Sequence, residues 1–140
     1  MVDLDVVLAK TAIIQRCVSR IKEVTGLNPE RLDSFDTQDI FAINLQRAAQ
    51  ASIDLAAHLV ASEAMGVPQD LRENFVMLQN ARVLEPGMSE KMQRMVGFRN
   101  IAVHEYQNLN IDILKHILVE RLGDFEEYCK QVLRFAQRPS

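Results

Sequence analysis

The segment Met95-Val96-Gly97-Phe98-Arg99-Asn100-Ile101-Ala102-Val103-His104-Glu105-Tyr106 decides how this chain reads. Together with Met92, the residues Met95, Val96, Phe98, Ile101, Ala102 and Val103 supply one apolar helical face. An arginine, an amide, an imidazole and a phenol crowd into the same segment. Polar groups set into an apolar helix are costly unless they have partners or a task. At about 100° per residue, Asn100 and His104 stand one turn apart on one side, and Arg99 and Tyr106 share a neighbouring side. Arg99 and His104 then flank a groove, where a fixed cation and a titratable imidazole can face one anionic group.

Composition points the same way. Of 140 residues, 48% are hydrophobic, 25% charged and only 6% aromatic, with five Gly and four Pro. Long uninterrupted helices are favoured over sheets, in one domain over residues 1–140 with a proper core. An all-α, up-and-down bundle of about five helices is expected. Cys17 and Cys129 are too few for a disulfide framework and fall on apolar helical stripes, so both read as small buried hydrophobes. With no signal peptide and no run of apolar residues long enough to span a bilayer, a cytoplasmic protein is expected. The net charge of −3 argues against nonspecific coating of nucleic acid. RNA contact would need a local patch, for which Lys91, Arg94 and Arg99, opposed by Glu90 and Glu105, are candidates.

Along the chain, Asp3 or Asp5 can cap a helix to about Val24, with Gly26 as its stop. Its apolar face (Leu4, Val7, Leu8, Ile14, Val18 and Ile21, widened by Val6, Ile13, Cys17 and Val24) is broad enough to be buried on two sides. Residues 28–35 read as a loop or short turn. Asp36 with Asp39 signals a second helix to Ala64, whose seam is Phe41, Leu45, Ala48, Ser52, Leu55 and Leu59. On another face, Arg47, Gln50, Asp54 and His58 form a polar stripe, either solvated or the wall of a cleft. A third helix is expected over about Asp70 to Val83, with Phe75, Leu78 and either Leu71 or Arg82 inside. A fourth, capped by Ser89, carries the motif, with Gly97 marking close packing or backbone access. Tyr106 falls at the helix end, and Asn110 caps a last helix of unbroken period. His58 and His116 lack any metal-like arrangement and read as surface or packing residues.

Arg99-Asn100-x-x-x-His104-x-Tyr106 resembles the Arg-x4-His-x-Tyr signature of the HEPN superfamily, specifically its HepT-like toxins paired with MNT-type nucleotidyltransferases. The stretch Leu45-Gln46-Arg47-Ala48-Ala49-Gln50-Ala51-Ser52-Ile53-Asp54-Leu55-Ala56 is similar to the family's second helix, so the resemblance spans essentially the whole chain. It implies a homodimer with the motif in a cleft between chains and an endoribonuclease toxin of a toxin–antitoxin module. It also implies an antitoxin nucleotidyltransferase that transfers AMP to Tyr106.

The residue chemistry is compatible with this. RNA cleavage by the sugar's own 2′-hydroxyl needs proton transfer and charge stabilisation, with no protein nucleophile, cofactor or metal. His104 can act as general base or acid. Arg99 offers a planar fork to the phosphate. Asn100 can hold an oxygen or orient the imidazole. Arg47, Gln50 and Asp54 are candidate cleft-wall residues. Two other readings stand beside it: a structural pairing of Arg99 and His104 across a helix interface, and a non-catalytic subunit of a nucleotidyltransferase complex.

Overall fold

A computed structural model describes residues 2–104 and 110–138, except for the side chains of residues 100–104. Helix α1 runs Leu4–Thr25; Asp3 caps it, its carboxylate accepting from the Asp5 and Val6 amides. At the other end Gly26 takes φ +58, and its N–H closes on the Lys22 carbonyl. A left-handed residue without a β-carbon is what ends such a helix cheaply. A 3₁₀ turn, Pro29–Asp33, follows, capped by Asn28.

Helix α2, Phe35–Ser62, is the central element, packing against α1 and against the later α3 and α4. Its cap is Ser34, whose hydroxyl accepts from the Thr37 amide, rather than Asp36. The whole expected seam from Phe41 to Leu59 is buried. Ser52 sits within it at no polar cost, because its hydroxyl donates to the Ala48 carbonyl at 2.8 Å. Helix α1 is covered by α2 and, on another side, by α6, while the outer edge of its apolar face, Leu4, Leu8 and Ile13, remains exposed.

Helix α3 is only Glu73–Asn80, shorter than its sequence pattern. Phe75 and Leu78 are buried, whereas both Leu71 and Arg82 are exposed and Asn74 takes the inner place. The helix closes on Arg82, which holds φ +63. For a residue with a β-carbon that backbone costs about 1–2 kcal/mol.

Helix α4, Pro86–His104, begins at the proline, one turn earlier than a Ser89 cap would give. Ser89 lies inside the helix, buried, and its hydroxyl donates to the Phe75 carbonyl at 2.9 Å, tying α4 to α3. Met92, Met95 and Val96 are buried, as their spacing indicates.

Asn110 caps α5, Ile111–His116, as expected. The last helix is not of one period, however: a π turn, Ile117–Arg121, separates α5 from α6, Leu122–Ala136. The wider turn shifts the register, so that Leu114 and the Lys115–Asp33 ion pair (3.0 Å) face the 3₁₀ turn while α6 packs on α1 and α4. Tyr128 is fully buried, donates to the Ser52 carbonyl at 2.8 Å and meets Phe75 edge-on at 5.9 Å. Counting α5, π turn and α6 as one rod, five helices make an all-α bundle, with no strand among the described residues.

Both cysteines are buried and free. Burial pushes the Cys17 thiol up and the Cys129 thiol up to about 12. No described helix is long and apolar enough to cross a membrane.

Candidate active site

The site is assembled where α2 crosses the C-terminal part of α4. Arg99 is half-buried, and its guanidinium Nη1 donates to Gln50 Oε1 at 2.9 Å. The other end of the same amide donates from Nε2 to Asp54 Oδ1, also at 2.9 Å, one turn further along α2. Asp54 Oδ2 in turn lies 3.6 Å from Lys10 Nζ on α1. Cation, amide, carboxylate and cation thus form one chain across three helices. An amide between a guanidinium and a carboxylate has a single satisfied orientation. Reversing it would set N–H against N–H and oxygen against oxygen. Asp54 therefore fixes which way Gln50 points, and Gln50 fixes one edge of Arg99.

Of the candidate wall residues, Gln50 and Asp54 join Arg99, and Arg47 does not. Arg47 is exposed and lines a separate groove of about 530 Å³ with Arg16, Cys17, Arg20 and Glu23 of α1. His58, next on the stripe, is half-buried with Nε2 unpartnered among the described residues. His116 is exposed. Lys10 joins the chain although its sequence context reads as a plain solvated lysine; only the packing of α1 on α2 brings it to Asp54.

Asn100 and His104 belong to α4 by backbone, His104 being its last residue. Their side chains, and all of Tyr106, lie outside the described residues. Nη2 of Arg72 stands 3.3 Å from where a β-carbon on Gly97 would be, but Arg72 is exposed and its side chain can yield, so the contact does not by itself require glycine.

The basic patch near the motif is partly compensated. Arg94 lies 3.7 Å from Glu90, and Lys91, Arg94 and Arg121 all act on Asp124. Asp124 is buried, and desolvation raises its carboxyl despite those three cations. No group of three or more His, Cys, Asp or Glu among the described residues could hold a metal ion.

The chain from Arg99 through Gln50 to Asp54 thus sits at a helix crossing near the end of α4 in a five-helix bundle. The Ribonuclease HepT-like family model matches residues 14–132, and this chain belongs to that family. It is 40% identical over 124 residues to the mRNA nuclease HepT of Shewanella oneidensis, covering 89% of this chain and 93% of that protein. It is 25% identical over 135 residues to the tRNA nuclease HepT of Aphanizomenon flos-aquae, covering 94% and 92%. A solved structure of the tri-AMPylated Shewanella oneidensis HEPN toxin in complex with MNT antitoxin superposes with a TM-score of 0.85 at 37% identity, over 93% of this chain and 98% of that one.

Proposed function

We propose that this chain is the ribonuclease toxin of a toxin–antitoxin pair and cuts RNA with Arg99, Asn100 and His104. The observation that carries the reading is the hold on Arg99: a motif arginine clamped by a neutral amide whose direction a second helix residue sets. A side chain needed only for packing has no use for so specified an orientation.

In the reaction the ribose 2′-oxygen attacks the adjacent phosphorus. The 2′-O–P bond forms, the P–O5′ bond breaks, and the products are a cyclic phosphate and a 5′-hydroxyl. The 2′-hydroxyl proton leaves to a base and the 5′-oxygen receives one from an acid. His104 serves one of these roles, and Arg99 binds the equatorial oxygens as their charge grows. One imidazole per chain supplies one of the two roles. A homodimer with two motif helices facing each other supplies both, and the exposed Leu4, Leu8 and Ile13 are apolar surface available to a second copy.

The antitoxin in this reading is an MNT-type nucleotidyltransferase acting on Tyr106. The phenolic oxygen attacks the α-phosphorus of ATP, forming the O–P bond and releasing pyrophosphate. The added phosphodiester places negative charge seven residues along the chain from Arg99, where it competes with RNA phosphate for the guanidinium. The support is the tri-AMPylated HEPN toxin of Shewanella oneidensis to which this chain is similar.

The test is cleavage of end-labelled RNA in EDTA. Wild type is expected to leave cyclic or 3′-phosphate ends, and His104→Ala to be slower by on the order of 10²- to 10⁴-fold. Full activity in His104→Ala, or loss of wild-type activity in EDTA, overturns the mechanism.

A further inference from the structure

At the other end of α4 from Arg99, the turn between α3 and α4 and the last turns of α6 enclose a cavity of about 480 Å³. Three guanidinium groups line it: Arg82 from the turn, and Arg134 and Arg138 one helical turn apart along α6 and its end. None of the three forms an ion pair with a described residue. The one carboxylate lining the cavity, Glu85, is engaged by Gln131, whose Nε2 lies 3.4 Å from Glu85 Oε2 and whose Oε1 accepts from the Glu85 amide at 3.0 Å.

One feature here is unfavourable to the fold alone. It is not the φ of +63 at Arg82, which closes α3: the Arg82 N–H donates to the Gln79 carbonyl and the Val83 N–H to the Leu78 carbonyl, both at 2.9 Å. It is the charge: three guanidinium groups meet a single carboxylate, Glu85, in a chain whose net charge is −3. An anionic ligand in the cavity would balance that charge. A mononucleotide would want an apolar slot for its base. The aromatic ring present, Phe135, is already covered by Arg138, whose guanidinium carbon stands 5.9 Å from the ring centre. Guanidinium groups from two separate segments around an open cavity suit the phosphates of a strand.

We infer that this cavity anchors the phosphodiester backbone of the RNA substrate, about 20 Å along α4 from the cleavage motif. The inference rests on the reading that the chain acts on RNA. It supplies the local basic surface that an acidic protein needs in order to hold such a substrate, at a distance the reach of several nucleotides.

The test is fluorescence anisotropy with a long unstructured RNA and with an oligonucleotide of a few residues, at several salt concentrations. The Arg82→Gln, Arg134→Gln, Arg138→Gln triple variant is expected to bind the long RNA on the order of tenfold more weakly. Its slope of log affinity on log salt should be shallower by about 2, three single-strand contacts at about 0.7 each. Binding of the short oligonucleotide should not change. Arg82→Gly is the second variant: relief of backbone strain should keep its melting temperature at or above wild type while long-RNA affinity falls, a split that a structural role for Arg82 would not produce. Equal affinity and slope in the triple variant overturn the anchor and leave the nuclease reading standing. Wild type binding neither RNA overturns both. ATP displacing long RNA from wild type, with the triple variant indifferent to ATP, would make the cavity a mononucleotide site and overturn the RNA assignment.

Discussion

Two faces of α2 run side by side and do opposite things. One is the apolar seam of Phe41, Leu45, Ala48, Ser52, Leu55 and Leu59, all buried, where small residues let α1 and α4 approach closely. The other carries Gln50 and Asp54, half-buried, joined to Arg99 on one side and Lys10 on the other. The seam is tolerant in kind, since any well-filled apolar surface of similar volume would serve. The polar face is not, because each group in it has a single orientation that satisfies its neighbours. Stability and site geometry are therefore carried by different residues of one helix, and substitutions can separate them.

The largest separation is expected from the seam. Leu55 is fully buried. Leu55→Ala should lower unfolding free energy by about 2–5 kcal/mol in denaturant titrations. Its cleavage rate per folded molecule should be nearly unchanged. A loss of activity larger than the loss of folded protein would mean that the two faces are coupled.

Gln50→Glu probes the other face. A carboxylate at 50 pairs directly with Arg99, neutralising the charge proposed to meet phosphate, and stands beside Asp54 as a like charge. The two effects oppose each other in stability, so the melting temperature should move little while cleavage falls by on the order of tenfold or more. Asp54→Asn should lie between wild type and Gln50→Glu, since an amide there no longer fixes the direction of Gln50. Unchanged kcat in Gln50→Glu would show that Gln50 only fills space.

The smallest effect comes from the core that both faces share. Burial raises Cys129 from an ordinary thiol value near 9 to about 12, so the folded state holds its proton more tightly than the unfolded chain. The stability this gives is complete below about pH 9 and is lost as pH rises from there toward 12. Melting temperature should therefore fall in alkaline buffer, less steeply in Cys129→Ala once the cavity cost at neutral pH is subtracted. Alkylation of the native protein at neutral pH should be negligible until it unfolds.

The seam was legible in the sequence because apolar spacing at helical period requires burial whatever the partner. Arg99, Gln50 and Asp54 stood out as polar groups at helical spacing, and packing joins the three. Boundaries were less legible. Ser34, Pro86 and the shortened α3 depend on local hydrogen bonds that propensity does not rank, and the buried hydroxyl of Ser89 looked like a cap but serves as a tie to the Phe75 carbonyl. The π turn at Ile117–Arg121 was invisible, since Leu114, Leu118 and Leu122 keep the same spacing with or without it. Lys10, Arg72 and the cluster of Arg82, Arg134 and Arg138 are brought into place by packing between distant segments. The local hint was Arg134 and Arg138, four residues apart at and just beyond the end of α6.

The central claim is that the guanidinium held by Gln50 works on RNA phosphate, and chemical rescue addresses it most directly. Arg99→Ala should cut labelled RNA at least about 10²-fold more slowly than wild type, with unchanged folding, as expected for loss of a charge-stabilising donor. Millimolar guanidinium, but not an ammonium salt at the same ionic strength, should restore part of that rate. An Arg99→Ala protein that cleaves as fast as wild type would contradict the account.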